Sequence, residues 1–395
     1  MVNVAILGFG TVGSGVADVL TRNSAVIDQR VDGLVRLKYI LDVRDFPDSP
    51  YKDLFVKDFS VIENDPEVDV VVETIGGAKV ALDFTQRALK AGKSVVSSNK
   101  ELVATHGYDL LQLAKEHGVS YLFEASVGGG IPILRPLTAC LAANELDQIT
   151  GILNGTTNYI LTEMLEKDAA FETALKEAQA MGYAERNPAA DVEGLDACRK
   201  VCILSALAFG FHVYPDQVAT EGITSITAED VEAATAAHMK VKLLGRTMRT
   251  DDGKVCAFVS PHFVPSASQL YHVDGVFNGI VIRGNAIGEA MFYGPGAGKL
   301  PTASAVVGDM VDAVWHLSQR RMLDWDDADP AKMVDFADLP LPYALRTTAS
   351  KAEVEAKLGQ ATALPAGYYL LSAPTTRRAI EASGLPLLAL RPVFQ

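Results

Sequence analysis

Cysteine is scarce: the 395 residues contain four, Cys140, Cys198, Cys202 and Cys256. Read as lacking a signal peptide, a chain this long with so few thiols is expected to sit in a reducing cytoplasm rather than to be built on a disulfide framework. Cys198 and Cys202 are helically spaced, yet no nearby Cys or His pair completes a zinc set, so they read as buried thiols. No uninterrupted apolar run reaches the ~18 residues of a bilayer span, which leaves no membrane role. Positive charge is also in deficit, 35 Lys and Arg against 49 Asp and Glu, for a net charge of -14. Nucleic acid and anionic lipid surfaces would be repelled, and a small-molecule partner is expected. Long repeats and low-complexity tracts are missing too.

What is present suits a globular chain: 49% of the residues are apolar, and the length allows two or three domains, each with its own core. The β-branched run Val2 to Leu7 stops at Gly8-Phe9-Gly10-Thr11-Val12-Gly13, which reads as strand, glycine turn and helix. Apolar runs at 37–41, 68–72, 94–96 and 120–123 alternate with helical patterns at 81–91 and 108–117. That alternation predicts an α/β fold with a parallel sheet covered on both faces, over residues 1–135. The segment 136–300 reads as α+β, with a strand at 148–153, a polar turn at 154–158, helices at 159–166 and 171–181, and later strands at 255–264, 279–283 and 289–293. Gly294 to Thr302 leads into a helix through about 317, and the acidic stretch 324–330 reads as a linker. Within 340–395, the segments 343–347, 351–358, 368–371, 376–382 and 387–393 form a small β-α-β-α-β unit.

Three groups of residues carry chemistry. Gly8-x-Gly10-x-x-Gly13, after a strand and before a helix, is the pattern that lets backbone approach a pyrophosphate at a helix N-terminus. Asp42 ends the next strand and would hold ribose hydroxyls, while Arg44 would favour a 2′-phosphate, so NAD and NADP both stay open. Asp42 lies further from Gly13 than the usual ~20 residues, which implies a longer first helix. Next, Glu73-Thr74-Ile75-Gly76-Gly77 and Ser98-Asn99-Lys100 follow strands, where such sheets bind ligand. Last, Glu185, Asp191, Glu193, Asp196 and Lys200 precede the nearly all-apolar run 201–211. Asp196 and Lys200 share a helix face; a solvated ion pair is the plain alternative to a charge held for chemistry. Gly296-Ala297-Gly298-Lys299 fails as a phosphotransfer loop, because Tyr293 and Leu300 stand where Gly and Ser or Thr are needed.

Asn99-Lys100-Glu101, the run Glu124 to Pro132, the run Gly151 to Asn158 and the run Asp191 to Asp196, in this order, resemble homoserine dehydrogenases over about residues 1–320. The resemblance implies a Rossmann-type dinucleotide-binding domain completed by a returning helix at 301–320, an α+β catalytic and dimerisation domain, and a small C-terminal ACT-like unit. It implies NAD- or NADP-dependent, reversible hydride transfer between L-homoserine and L-aspartate 4-semialdehyde, in a homodimer or dimer of dimers. Lys200 would carry the proton and Lys100 would assist it. Glu185, Asp191, Asp196, Gly155, Thr156, Thr157 and Tyr183 would bind substrate. Gly8, Phe9, Gly10, Thr11, Val12, Gly13, Asp42, Arg44, Thr74, Lys100, Gly182 and Gly298 would bind the dinucleotide. Glu124, with the carbonyls of Val127, Gly129 and Ile131, would hold Na or K. The chemistry agrees: the substrate ammonium needs carboxylates, and its hydroxyl must lose a proton as carbon loses hydride. Two departures stand out. Asn187 replaces an aspartate of the family's loop, and the C-terminal unit shows only three of the four strands of the β-α-β-β-α-β order. A dinucleotide-sensing regulator and another semialdehyde reductase are the competing readings; the pair Lys100 and Lys200 opposes the first, and residues 151–200 oppose the second.

Overall fold

In the computed structural model of the protein, short and mostly apolar strands build the first sheet: β1 (Val2–Leu7), β2 (Val35–Leu41), β3 (Phe55–Val56), β4 (Val68–Glu73), β5 (Ser94–Ser97) and β6 (Tyr121–Leu122). They pair in parallel in the order β3-β2-β1-β4-β5-β6. Val4, Ile6, Val70, Val72 and Val96 are fully buried, as expected where helices cover both sides of a parallel sheet. The order reverses between β1 and β4, and the crevice outside the strand ends at that switch is where such sheets take a ligand. Helices α1 (Thr11–Arg22), α2 (Ser24–Val31), α3 (Ser60–Glu63), α4 (Lys79–Lys90) and α5 (Lys100–Glu116) connect the strands. The long interval before Asp42 therefore holds two helices rather than the single longer one expected. Asn23 caps α1 through its amide on the Val19 carbonyl and stands at the N-cap of α2, a break suited to a residue that competes with helix interiors.

The helix Lys299–Trp315 (α11 in chain order) lays Ala303, Val306, Val307, Met310 and Ala313 into the same core as Val4, Ile6 and Val16. Residues 1–142, 206–212 and 295–328 thus make one compact unit. The acidic stretch at 324–330 is not a loose linker. Trp325 is buried, its indole N–H donates to His212 Nδ1 at 3.1 Å, and His212 in turn reaches the Ala104 carbonyl at 3.0 Å.

The second unit takes residues 143–205, 213–294 and 329–395. Its main sheet runs β12-β11-β7-β9-β10-β8, with β7 (Leu146–Ile152), β8 (Ala219–Thr220), β9 (Met239–Arg249), β10 (Val255–Pro265), β11 (Phe277–Gly284) and β12 (Gly288–Pro295). Helices α6 (Gly155–Glu166), α7 (Phe171–Ala180), α8 (Ala189–Val192), α9 (Leu195–Phe209) and α10 (Ala228–Ala236) complete it. The long strand β9 has no counterpart in the sequence reading, because Lys240, Lys242 and Arg246 disguise it as polar. Two of these cations are in fact buried. Lys242 donates to the Val273 carbonyl at 2.6 Å and to Asp274 Oδ1 at 2.8 Å. The Arg246 guanidinium lies 5.5 Å from the Phe258 ring and 5.1 Å from the Phe394 ring.

The chain ends in β13 (Tyr343–Thr347), α12 (Lys351–Leu358), β14 (Ala361–Ala363), β15 (Tyr368–Leu371), α13 (Arg377–Ala382) and β16 (Leu387–Pro392), an antiparallel sheet in the order β14-β15-β13-β16. The strand missing from the sequence reading is β14: three residues, Ala-Thr-Ala, with only Ala361 buried, too short and too small to show a pattern. The full β-α-β-β-α-β order is present. This sheet packs Leu341, Tyr343 and Leu345 with Phe336 onto Phe258 of β10, the two phenyl rings stacking at 4.1 Å. Asp230 of α10 accepts from both Tyr368 Oη and Arg391 Nε at 2.6 Å, with all three side chains buried.

Candidate active site

At the head of β1 the chain turns sharply through Gly8, whose φ of 90° suits glycine. A Cβ on Gly13 would stand 1.9 Å from the Gly8 carbonyl oxygen, so only glycine lets α1 seat this close to the turn. Nothing lies within 4 Å of where a Cβ on Gly10 would project, which leaves open the approach to the α1 N-terminus beside Thr11 and Val12. Thr74 fastens the turn from below, its hydroxyl within 2.9 Å of the Leu7 and Gly8 carbonyls. Asp42 accepts the Phe9 amide at 2.7 Å and pairs with Arg44 through Nε at 3.0 Å and Nη2 at 2.9 Å. The Arg44 guanidinium, with the amides of Arg44 and Phe9, holds the Asp42 carboxyl at about 2 against the opposing effect of burial. Beyond Asp42 lies an open groove lined by Arg44, Phe46, Lys52, Phe55 and Lys57.

The carboxyl ends of β4 and β5 are cross-tied. Glu73, read in the sequence as a loop residue, is the fully buried last residue of β4. Its carboxylate accepts the Ser97 hydroxyl and the Ile75 amide, each at 2.6 Å. Asn99 caps α5 through the Leu102 amide and donates to the Ile75 and Gly77 carbonyls at 3.0 and 2.8 Å. Lys100 opens α5 directly after this cap. Burial pushes the Glu73 carboxyl up to about 7, although its hydrogen bonds oppose the rise.

The second unit holds the other charged cluster. Lys200, 7% exposed, and Asp196, 4% exposed, are 2.7 Å apart on α9, so this pair is not solvated. Lys200 Nζ also donates to the Leu153 carbonyl at 2.6 Å. Asn154 Nδ2 donates to Asp196 Oδ2 at 2.8 Å and to Asp191 Oδ1 at 2.7 Å, while Asn154 Oδ1 caps α6 through the Thr157 amide at 2.8 Å. Gly155 sits under the Val276 carbonyl, which a Cβ would meet at 2.6 Å. Thr156 donates to the Tyr183 carbonyl at 2.6 Å, and the Tyr183 ring meets Tyr159 edge-on at 5.0 Å. Glu185 is exposed on the loop after α7, two residues beyond Tyr183 and three beyond the left-handed Gly182. Asn154 and the Leu153 carbonyl were absent from the sequence-derived site. The signal available was a strand running straight into a helix with Asn at the N-cap.

Glu124 is buried, and its carboxylate accepts the amides of Ile133 (2.6 Å), Leu134 (2.9 Å) and Arg135 (2.6 Å). Between these residues run Val127, Gly129 and Ile131, with left-handed φ at Gly128 and Gly129. Asp309 of α11 accepts the Glu124 amide at 2.6 Å and pairs with Arg135 at 2.5 Å. Gly298, at φ 131°, is the N-cap of α11, and Lys299 pairs with Asp18 at 2.8 Å.

A glycine cradle at the switch point of a parallel sheet, and a buried lysine set between carboxylate, carbonyl and amide in the other unit, define a dinucleotide-dependent oxidoreductase. A family model described as "Homoserine dehydrogenase, NAD binding domain" matches residues 8–124, and one described as "Homoserine dehydrogenase" matches residues 132–311. The homoserine dehydrogenase of Neisseria gonorrhoeae is 40% identical over 376 residues, covering 92% of this chain and 85% of that protein. That of Pseudomonas aeruginosa is 43% identical over 315 residues, 79% of this chain and 72% of the other. Among solved structures, a homoserine dehydrogenase from Thiobacillus denitrificans superposes with a TM-score of 0.89 at 33% identity, covering 100% of this chain and 98% of that one. A hyperthermophilic archaeal homoserine dehydrogenase in complex with NADPH gives 0.67 at 28% identity, over 80% of this chain and 98% of that one. The chain belongs to the homoserine dehydrogenase family: it is an NAD(P)-dependent oxidoreductase that interconverts L-homoserine and L-aspartate 4-semialdehyde.

Proposed function

We propose that Lys200 is the proton carrier of this reaction and that the carboxylates around it seat the substrate. The observation that supports this is the buried set Lys200, Asp196 and Asn154, with the half-buried Asp191 bonded to its edge. A lysine kept at 7% exposure beside an acid, on a helix that could have been wholly apolar, is costly unless it has a task. The bound nicotinamide supplies the hydride acceptor or donor. The Leu153 carbonyl and Asp196 fix the direction of the Lys200 amine. In oxidation that amine takes the hydroxyl proton, and in reduction the ammonium polarises and protonates the aldehyde oxygen. Lys100, at the head of α5, assists. Glu185, Asp191 and Asp196 meet the substrate ammonium, and the first turn of α6 at Gly155, Thr156 and Thr157, beside Tyr183, meets its carboxylate. The turn at Gly298 belongs to the same unit as the dinucleotide turn of Gly8 to Gly13 and Thr74 and serves that site.

The dinucleotide we assign is NADP. Both Asp42 oxygens are engaged by Arg44 and the Phe9 amide, so this acid is a poor acceptor for ribose hydroxyls, and the adjoining groove carries three cations, Arg44, Lys52 and Lys57, against one acid, Asp45, which pairs with Lys57 at 2.8 Å. Glu124 with the carbonyls of Val127, Gly129 and Ile131 would hold Na or K. The donors are all oxygen, which suits a hard cation, and since three amides already occupy the carboxylate, the carbonyls would carry most of the coordination. The enzyme works in the cytoplasm as a homodimer or dimer of dimers; Phe277 and Tyr293, stacked at 5.2 Å and exposed near the sheet edge, are suited to a subunit contact.

Reduced-nicotinamide absorbance with homoserine tests these roles. Lys200→Met is to lose turnover while dinucleotide binding persists; full activity would remove Lys200 from the chemistry. Arg44→Ala is to raise KM for NADP and leave that for NAD unchanged; equal effects would refute the NADP assignment.

A further inference from the structure

We propose that Glu73, Ser97 and Asn99 form a closed, buried ring whose task is to position Lys100 for the reaction. The proposal rests on the role given to Lys100 above. β4 and β5 are neighbours in exact parallel register at their ends, Glu73 beside Ser97, and the two loops then diverge. The ring brings them back together. Ser97 Oγ donates to Glu73 at 2.6 Å and accepts the Asn99 amide at 3.0 Å. Asn99 Nδ2 donates to the Ile75 carbonyl at 3.0 Å, and the Ile75 amide returns to Glu73 at 2.6 Å. A fifth bond, from Asn99 Nδ2 to the Gly77 carbonyl at 2.8 Å, extends the tie along the loop.

Two features separate this ring from ordinary core packing. Its centre is a carboxyl group at zero exposure whose partners are all neutral, a hydroxyl and backbone or side-chain amides. An apolar side chain of similar size would hold the two strands at lower cost, since burying an acid without a cationic partner is unfavourable. Further, every bond of the ring ends on a segment that bears on the site. Thr74, next to Glu73, grips the Gly8 carbonyl; Asn99 both closes the ring and caps α5, so it sets where that helix starts; and Lys100 is its first residue. Glu73, Ser97 and Asn99 are therefore positioning residues acting through Lys100, while the dinucleotide turn keeps its own support from Thr74.

The test is a double-mutant cycle on the intact enzyme. Ser97→Ala is to lower kcat for homoserine oxidation by about 10- to 100-fold, the range that a small misplacement of a reacting group produces. The dissociation constant for the reduced dinucleotide is to stay within about twofold. Combined with Lys100→Met, Ser97→Ala is to add no further loss. Asn99→Ser, which can still cap α5 but drops both amide bonds to the 75–77 loop, is to repeat the pattern and guards against a Ser97 variant that fails to fold. If Lys100→Met slows the enzyme but the ring variants keep wild-type kcat, or their losses multiply with that of Lys100→Met, the positioning proposal is overturned. If Lys100→Met itself keeps full activity, the role of Lys100 falls first, and the proposal with it.

Discussion

Lys200 Nζ lies 2.7 Å from Asp196 Oδ2, inside the protein, one helical turn apart on α9. The pair is coupled in stability as well as in chemistry. Asp196→Ala removes the carboxylate and leaves the buried Lys200 ammonium without it, which costs about 3–5 kcal/mol. The double variant Asp196→Ala, Lys200→Met is expected to recover most of that loss. Urea denaturation of the single and double variants checks this, and a double variant as unstable as Asp196→Ala alone would contradict it.

Gly13→Ala places a methyl group 1.9 Å from the Gly8 oxygen. The turn must then open, moving the amides that would meet the pyrophosphate. The expected outcome is a KM for the dinucleotide raised by about tenfold or more, equivalent to at least ~1.4 kcal/mol of lost binding, with KM for homoserine nearly unchanged. Steady-state kinetics with each substrate varied in turn decide the point.

The Glu73 carboxyl is raised from 4.5 to about 7 by burial. The folded state therefore keeps this proton through a range where the unfolded chain has released it. The stabilising contribution is complete below about pH 4.5 and is lost as pH rises through about 7, a swing of about 3 kcal/mol. Glu73→Gln removes the titration, so its stability relative to wild type should be greater near pH 8 than near pH 5. Parallel pH profiles of unfolding free energy for the two proteins would refute the assignment.

Arg246 is a buried guanidinium without a carboxylate, pulled down to about 10 by burial, with its Nε lacking any partner. Its neighbours are aromatic faces, the Met248 sulfur and neutral His262. Arg246→Met should leave stability unchanged or raise it by about 1–4 kcal/mol. Thermal melting of the variant checks this, and a large loss would show that the cation–ring contacts outweigh desolvation.

Asp230 receives two buried donors, Tyr368 and Arg391, from the C-terminal sheet. Asp230→Ala should destabilise by about 3–5 kcal/mol, and Asp230→Ala with Arg391→Met by clearly less, because the second change removes the stranded charge. Denaturation midpoints of both variants give the comparison.

Much of the first sheet is legible in the sequence, because strands covered on both faces must be mostly apolar, and Val2 to Leu7 and Val68 to Val72 are, apart from Asn3 and Asp69 near their starts. The i,i+4 relation of Asp196 and Lys200 was legible for the same reason of periodicity. β9 was hidden because its alternate residues are cations whose partners, Asp274 and the Phe258 and Phe394 rings, come from other segments. Asn154 stands in the polar turn of the sequence reading without a site role, because its amide reaches acids 37 and 42 residues away, and such bonds leave no local trace. Glu73 reads as a loop residue because a carboxylate at the end of an apolar run normally marks the return to solvent; here a serine hydroxyl and a backbone amide keep it inside.

The return of α11 has a consequence for biosynthesis. Five apolar side chains of the dinucleotide unit's core lie between residues 303 and 313, so most of the other unit must leave the ribosome before the nucleotide half can close. The nascent sheet waits with the surface beneath Val4, Ile6 and Val16 uncovered, and a chain cut after residue 142 would never receive its cover.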